Sequence, residues 1–182
     1  NEYGKARPDY PPLHFPGGVL IYSTGDPGEV DLDADVDRRF VRIRRRNIIP
    51  QAVSWAMASQ TGRYLSTDIS KPDVPIYNAA EITDKLNRIL DIEHHWEGFF
   101  DHLDVNPAEL IYEDDIMNPS TTPQLAALRV LTYFELPYKT PLGPSEFEPF
   151  DVTLKHDWTV RYRNGHIPPQ LRDRILKRKL PW

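Results

Sequence analysis

A strand-like segment runs through an arginine cluster straight into a proline-started helix, and this junction most constrains how the chain can fold. The β-branched and aromatic residues of 40–44 predict a strand. Pro50 suits the first turn of a helix, where its missing N–H has no partner to lose. The pattern therefore predicts a helix from Gln51 to Gln60, ended by Gly62.

Charge is concentrated at this junction, although the chain as a whole carries a formal net charge of −5. Acidic residues occupy every second position of 29–37, and residues 38–46 hold six arginines. The acidic total argues against a general nucleic-acid binder, whereas a local cationic cluster favours a site for a small anion. The arginines also suit ion pairing with the neighbouring acids, so a structural patch of ion pairs stays open as an alternative.

Composition excludes several other classes. With 40% hydrophobic and 11% aromatic residues, the chain has enough apolar material for a core and is not a disordered tail. The absence of cysteine excludes disulfide scaffolds and thiolate metal sites. No apolar run approaches the roughly 20 residues that span a bilayer, and we expect a cytoplasmic protein.

Histidines at 94 and 95 lie between Glu93 and Glu97 and raise the question of a metal site. Only His94 and Glu97 share a helical face, and no third ligand follows at a suitable spacing. We therefore expect a solvated helix face here and no bound metal.

The remaining sequence predicts further helices and one more strand. Asn78 is positioned to cap a long helix, with Glu81 three residues later as in a capping box, and the tract 104–107 ends that helix. A strand is predicted at 110–112, and a helix from Pro123 to Phe134. The apolar stripe of this helix consists of Leu125, Leu128, Leu131 and Phe134.

Strand, helix, helix, strand, helix is the order of an α/β fold. We predict an irregular N-terminal arm over residues 1–37, with a short strand at 19–22 and the acidic stretch. Residues 38–182 are predicted to form the α/β domain, in which 137–150 is a loop.

An oxyanion at the junction would meet favourable contacts from the backbone and from side chains. Unpaired N–H groups and the helix dipole attract an anion to a helix start, and arginine donates forked hydrogen bonds to phosphate. Ser54 lies about 6 Å along the axis from Pro50, and its side chain leans toward the helix start. Its hydroxyl can therefore reach an anion held by Arg46, although serine is also an ordinary small helix residue.

The run from Arg44 to Ser54, continuing to Gly62, resembles the bacterial trehalose 2-sulfotransferase-like family. More broadly, it resembles the motif of sulfotransferases that use 3'-phosphoadenosine 5'-phosphosulfate, in which a serine follows the strand-end arginine by eight residues, as Ser54 follows Arg46. Residues 110–114 and the Asn-Pro pair at 118–119 resemble later landmarks of the family. The resemblance covers about residues 38–163 and implies a P-loop-like, three-layer α/β fold with a parallel sheet.

The resemblance also implies an activity and a set of site residues. The enzyme would move a sulfuryl group from 3'-phosphoadenosine 5'-phosphosulfate to a hydroxyl acceptor, on a carbohydrate or glycolipid, without a metal. Arg46 and Ser54 would bind the 3'-phosphate, and Tyr112 would lie beside the adenine unless it is a core tyrosine. Arg161 and Arg163 lie where a C-terminal segment closes on the nucleotide in such enzymes, and surface arginines are the alternative there.

Two parts of the family pattern have no counterpart in this sequence. The loop around the 5'-phosphosulfate is not found, because 24–28 lacks a cation and Asp26 would repel sulfate, so we expect that loop in a preceding segment. No catalytic base is assigned, since His14 lies farther from Arg46 than the family's histidine would. A non-catalytic module that binds a nucleotide or sulfated ligand, and a structural interaction domain, stay open, as does a homo-oligomer.

Overall fold

The computed structural model describes residues 14–15, 18–19, 39–63, 74–117, 123–135 and 152–178. The strands are β1 (His14–Phe15), β2 (Gly18–Val19), β3 (Val41–Arg44) and β4 (Ala108–Ile111). The helices are α1 (Ile49–Thr61), α2 (Ala79–Leu103), α3 (Pro123–Tyr133), α4 (Val152–Gly165) and α5 (Pro169–Leu176), with a π-helical turn at Tyr112–Ile116, here called the π turn.

β3 and β4 form a two-stranded parallel sheet, while β1 and β2 pair as a short antiparallel hairpin. In the parallel pair, Val41 lies opposite Ala108 and Arg44 opposite Ile111. Parallel neighbours need a crossover connection, and α1 and α2 lie within this one. The described part of the chain is thus mixed α/β and mostly helical, which confirms the expected α/β class and the parallel pairing.

The main hydrophobic core lies between α1, α2, α4 and α5. Its largest fully buried side chains are Tyr162, Ile48, Ile49, Ile82, Leu86 and Val53. A second cluster packs the sheet against α2, where the Phe40 ring meets Phe100 edge-on at a centroid distance of 5.6 Å. α2 therefore covers the face of β3 that continues from Phe40. No helix in the described part of the chain has both the length and the apolar character that a membrane crossing needs.

Local signals set the ends of α1, as predicted. Pro50 occupies the first turn. Gly62 follows the last residue with a φ of 69°, and its N–H donates to the carbonyl of Ala58 at 2.8 Å. Glycine is suited to this left-handed conformation because it lacks the Cβ that strains other residues there.

Asn78 caps α2, as predicted. Its Oδ1 accepts hydrogen bonds from the N–H groups of Ala80 at 3.1 Å and Glu81 at 3.2 Å. Glu81 does not complete a capping box, because its carboxylate instead accepts from the Gln60 amide at 2.7 Å. The capping contact is thus one-sided, and Glu81 joins α2 to α1.

Other expectations on described residues were wrong. Tyr112 does not end the second strand but begins the π turn, where the Met117 N–H donates to the Tyr112 carbonyl at 2.9 Å. In α3, Leu125 and Leu128 are 45% and 42% exposed, while the buried residue is Ala126. The tracts 29–37, 118–120 and 137–150 lie outside the described residues, as does the predicted strand 19–22 beyond Val19.

Helices α4 and α5 were not predicted. Both are rich in charged and polar residues, which hides the helical period in the sequence. Their buried apolar residues nevertheless lie four apart, Trp158 with Tyr162 in α4 and Leu171 with Ile175 in α5. Each pair therefore presents one narrow apolar stripe to the core.

Replacing the capping side chain, in Asn78→Ala, should lower the free energy of unfolding by about 1 kcal/mol, because two N–H groups lose their acceptor. Urea unfolding followed by circular dichroism measures the change. Asn78→Asp, which retains an acceptor oxygen, is the matched control and should stay close to the wild type. An alanine variant as stable as the aspartate variant would contradict the capping role.

Candidate functional site

The residues that follow β3 meet the residues that follow β4. Arg46 lies in the loop between β3 and α1, and its backbone N–H donates to the Glu113 carboxylate at 2.9 Å. Its guanidinium pairs with Asp114 of the π turn, through Nε at 3.4 Å and through a closer Nη2 contact. The Arg46 side chain is 40% exposed, so this pair lies at the surface of the sheet edge.

The Arg46–Asp114 pair has a matching electrostatic signature. The hydrogen bond from Arg46 lowers the pKa of Asp114 below its usual 3.8, and the attraction of the opposite charge adds to this. The same contact raises the pKa of Arg46 above its ordinary value. Both groups are therefore charged at neutral pH.

Arg45 projects onto an aromatic ring. Its guanidinium carbon lies 3.7 Å from the centre of the Tyr112 ring, which is a cation–π contact. Among the described residues, no carboxylate lies within ion-pair distance of Arg45. Tyr112 is half-buried, and the stacked guanidinium covers one of its faces.

A second cation without a described counter-ion lies near Arg45. Burial lowers the pKa of Lys155 on α4 below its usual 10.5, and repulsion by Arg45 lowers it further. No carboxylate in the described part of the chain pairs with Lys155. Two neighbouring cations without a carboxylate partner among the described residues create a positive potential, which an anion would neutralise.

The start of α1 adds backbone donors. Its first N–H, on Ile49, donates to the Asn47 side chain at 3.3 Å, and Pro50 has none. The N–H of Gln51 has no acceptor among the described residues. This unpaired donor and the positive end of the helix dipole both favour an anion here.

A cavity of about 220 Å³ adjoins the junction. Arg45 and Tyr112 line one side, and Gln51 and Trp55 of α1 line another. Ser54 is half-buried and not itself in the lining, but it lies on the same side of α1, three residues after Gln51. The cavity walls are thus aromatic and basic where they approach the predicted anion site.

Arg42 and Arg44 take a different role. Arg44 is only 4% exposed and lies 3.4 Å from Glu97 and 3.5 Å from Glu109, and Arg42 lies 3.7 Å from each of the same carboxylates. Burial, followed by repulsion from Arg44, lowers the pKa of Arg42. The ion-pair interpretation therefore describes these two arginines, with partners on α2 and β4. The acids of 29–37 lie outside the described residues.

The structure places Arg161 away from Arg46. Its guanidinium lies 3.9 Å from the centre of the Tyr77 ring. Tyr77 follows Ile76, whose backbone exchanges hydrogen bonds of 2.8 and 3.0 Å with the side chain of Gln60 at the C-terminal end of α1. Arg46 precedes the opposite end of that helix. Contacts of Arg161 and of the exposed Arg163 with a nucleotide stay a prediction.

Sequence reasoning missed several residues of this junction. Arg45 was visible in the arginine cluster, but only the Arg46–Ser54 spacing singled out one member. The sequence around Lys155 gives no sign of its role, because its relation to Arg45 arises from the packing of α4 on α1.

His94 and His95 are exposed, and the described residues include no group of three possible ligands for a metal ion.

Removing the Arg46 guanidinium, in Arg46→Ala, should raise the pKa of Asp114 back toward 3.8, because the hydrogen bond that lowers it is lost. Carboxyl carbon NMR during an acid titration measures this pKa. Arg172→Ala, a change at an exposed α5 residue, is the control and should leave it low. In the wild type, the stabilisation from the pair is complete above the unfolded-state pKa and is lost as the pH falls through the lower folded-state pKa. An unchanged Asp114 titration in Arg46→Ala would refute the contact.

Comparison with known proteins gives one family. The model of the Stf0 sulphotransferase family matches residues 29–165, more than half of the chain. The matched range includes β3, α1, β4, the π turn and α4, and it ends before α5. No curated protein matches the chain.

Proposed function

Because the chain belongs to the Stf0 sulphotransferase family, we propose that it moves a sulfuryl group from 3'-phosphoadenosine 5'-phosphosulfate to a hydroxyl group of a carbohydrate or glycolipid. Membership in the family implies a sulfotransferase enzyme and this donor. The observation that carries the donor assignment is the cationic junction at the start of α1. There, Arg46 lies at the surface while Arg45 and Lys155 have no described counter-ion.

The 3'-phosphate of the donor is proposed to bind at this junction. Asp114 uses Nε and Nη2 of Arg46, so the Nη1 donors are available to a phosphate oxygen. The Gln51 N–H and the Ser54 hydroxyl, both on α1, would complete the contacts from the helix side. Arg45 and Lys155 would supply further positive charge.

The adenine is proposed to lie in the adjoining cavity beside Tyr112. The ring of Tyr112 and the indole of Trp55 both line this cavity and offer flat apolar surfaces to a base. Arg161 and Arg163 remain proposed contacts from the C-terminal side. Since Arg161 lies at the far end of α1, we expect its substitution to weaken donor binding less than substitution of Arg46 does.

The chemistry would depend on positioning and charge. The acceptor hydroxyl attacks sulfur while the bond from sulfur to the 5'-phosphate oxygen breaks, and the hydroxyl proton passes to a general base. As in phosphoryl transfer, fixing the donor and stabilising its developing negative charge lower the barrier. In this proposal, the residues of the junction fix the donor through its 3'-phosphate, and no metal is required.

Adenosine 3',5'-bisphosphate should bind the wild type and raise its melting temperature, whereas adenosine 5'-monophosphate should bind far more weakly because it lacks the 3'-phosphate. Titration calorimetry should show a loss of roughly 10-fold or more in Arg46→Ala, because a charge-assisted contact disappears. Ser54→Ala should cost several-fold, because one hydrogen bond from an uncharged donor is lost, and Arg172→Ala serves as the control.

Several outcomes would contradict parts of this proposal. Equal affinity for the two nucleotides, or full binding in Arg46→Ala, would refute the donor site, and the absence of binding by either nucleotide would favour the structural interaction domain. Tight bisphosphate binding without label transfer from the sulfuryl donor to carbohydrate or glycolipid acceptors would instead favour the non-catalytic binding module.

Affinity for the bisphosphate should fall with rising pH within the alkaline range below 10.5, because Lys155 loses its proton there more easily than an ordinary lysine. A bound phosphate favours the charged lysine, so its pKa rises on binding and protons are taken up. Calorimetry at several pH values between about 7.5 and 10, a range that lies below the ordinary lysine pKa, measures this fall in affinity. Lys155→Arg should remove the alkaline loss, because guanidinium stays charged, and Lys155→Met should bind weakly at every pH. The same alkaline loss in all three proteins would exclude Lys155 from the site.

A further inference from the structure

Arg178, just beyond α5, contacts the backbone of residues 45–48, the loop between β3 and α1 that we call the donor loop. Its Nη1 donates to the Arg46 carbonyl at 3.0 Å, and its Nη2 donates to the Arg45 carbonyl at 2.7 Å. Nε and Nη2 also donate to the two carboxylate oxygens of Glu93 on α2, each at 2.7 Å. The Arg178 side chain is 4% exposed, so these contacts are shielded from water.

These contacts fix two consecutive peptide groups relative to α2. The guanidinium is planar and its N–H groups form a rigid fork, so a carboxylate on one edge sets where the remaining donors point. Glu93 is 16% exposed and holds Arg178 in a bidentate pair. Arg178 can therefore donate to the carbonyls of both Arg45 and Arg46 only when the backbone of the loop takes one position.

The same loop is held from its other side. The Arg46 N–H donates to Glu113 of the π turn, while the Arg46 carbonyl accepts from Arg178. With both its N–H and its carbonyl bound, the backbone of Arg46 cannot rotate without breaking a contact. This restraint determines the direction in which the guanidinium leaves the loop and meets Asp114.

We infer that Arg178 is a positioning residue for donor binding, acting through the backbone of Arg45 and Arg46. The identity of the ligand in this inference rests on the proposed function, whereas the positioning role rests on the hydrogen bonds of Arg178. Arg178 lies outside the residues matched by the family, which end at 165. A lysine cannot replace it, because a single ammonium group cannot span Glu93 and two carbonyls in one fixed geometry.

Arg174, on α5 itself and four residues before Arg178, provides a matched control. It also joins α5 to α2, donating to Asn87 at 2.7 Å and to Asp91 at 2.5 Å, but it does not contact the loop. Loss of Arg174 therefore weakens the same helix pair without touching the carbonyls of Arg45 and Arg46. Comparing Arg178→Lys with Arg174→Ala separates positioning from packing.

The first measurement is discrimination between nucleotides. In Arg178→Lys, the affinity for adenosine 3',5'-bisphosphate should fall roughly 10-fold or more, as expected when a supporting contact is lost. Affinity for adenosine 5'-monophosphate should change little, so the ratio of the two affinities falls. Arg174→Ala should keep the wild-type ratio, even if its melting temperature falls by as much as that of Arg178→Lys. An unchanged ratio in Arg178→Lys would overturn the inference. If Arg178→Lys does not fold, Arg178→Gln, which retains two donors, takes its place.

The second measurement needs no ligand. Displacement of Arg46 from Asp114 should raise the pKa of that carboxyl toward 3.8 in Arg178→Lys but not in Arg174→Ala. A wild type that does not distinguish the two nucleotides would refute the proposed function, and the Asp114 titration would still decide whether Arg178 positions Arg46. A low Asp114 pKa in Arg178→Lys would refute the positioning role.

Discussion

Parallel pairing of β3 with β4 brings the residues that leave both strands to one edge of the sheet, and the candidate site is built from those residues. Because Arg44 pairs with Ile111, the next residues of each chain segment meet. Arg45 stacks on Tyr112, and Arg46 contacts the two carboxylates that follow it. A register shift of one residue would turn each of these side chains to the other face, so the site depends on this register.

The end of β3 divides the arginine cluster into two roles. Arg42 and Arg44 share two carboxylates, from α2 and β4, and removing those carboxylates would leave buried guanidinium charges. Arg45 and Arg46 follow the strand and lie at its edge, where a ligand can approach. A single run of arginines thus supplies both the ion pairs that hold β3 against its neighbours and the cations that lie beyond the end of the strand.

Local signals made the helices around the site predictable, whereas the partners of the arginines depend on tertiary packing. Pro50, Gly62 and Asn78 mark helix ends through their own backbone chemistry, which a sequence displays directly. By contrast, Ile43 is 38% exposed while its neighbour Arg44 is buried, and Arg44 pairs there with Glu97 of α2 and Glu109 of β4. The contacts of Arg178 with the donor loop span more than 130 residues, and no local pattern predicts them.

The carboxylate on Arg46 is compatible with an anion site because of where the pair lies. Arg46 is 40% exposed and Asp114 is 48% exposed, and ion pairs in such surroundings contribute little to stability because water screens them. A phosphate, with more charge and three acceptor oxygens, competes well for such a guanidinium. The Arg44 guanidinium, at 4% exposure, offers no comparable exchange, since separating it from its carboxylates would leave its charge without water. In the proposed donor site, Asp114 would therefore orient Arg46 without preventing an anion from binding, because the pair lies at the exposed edge of the sheet.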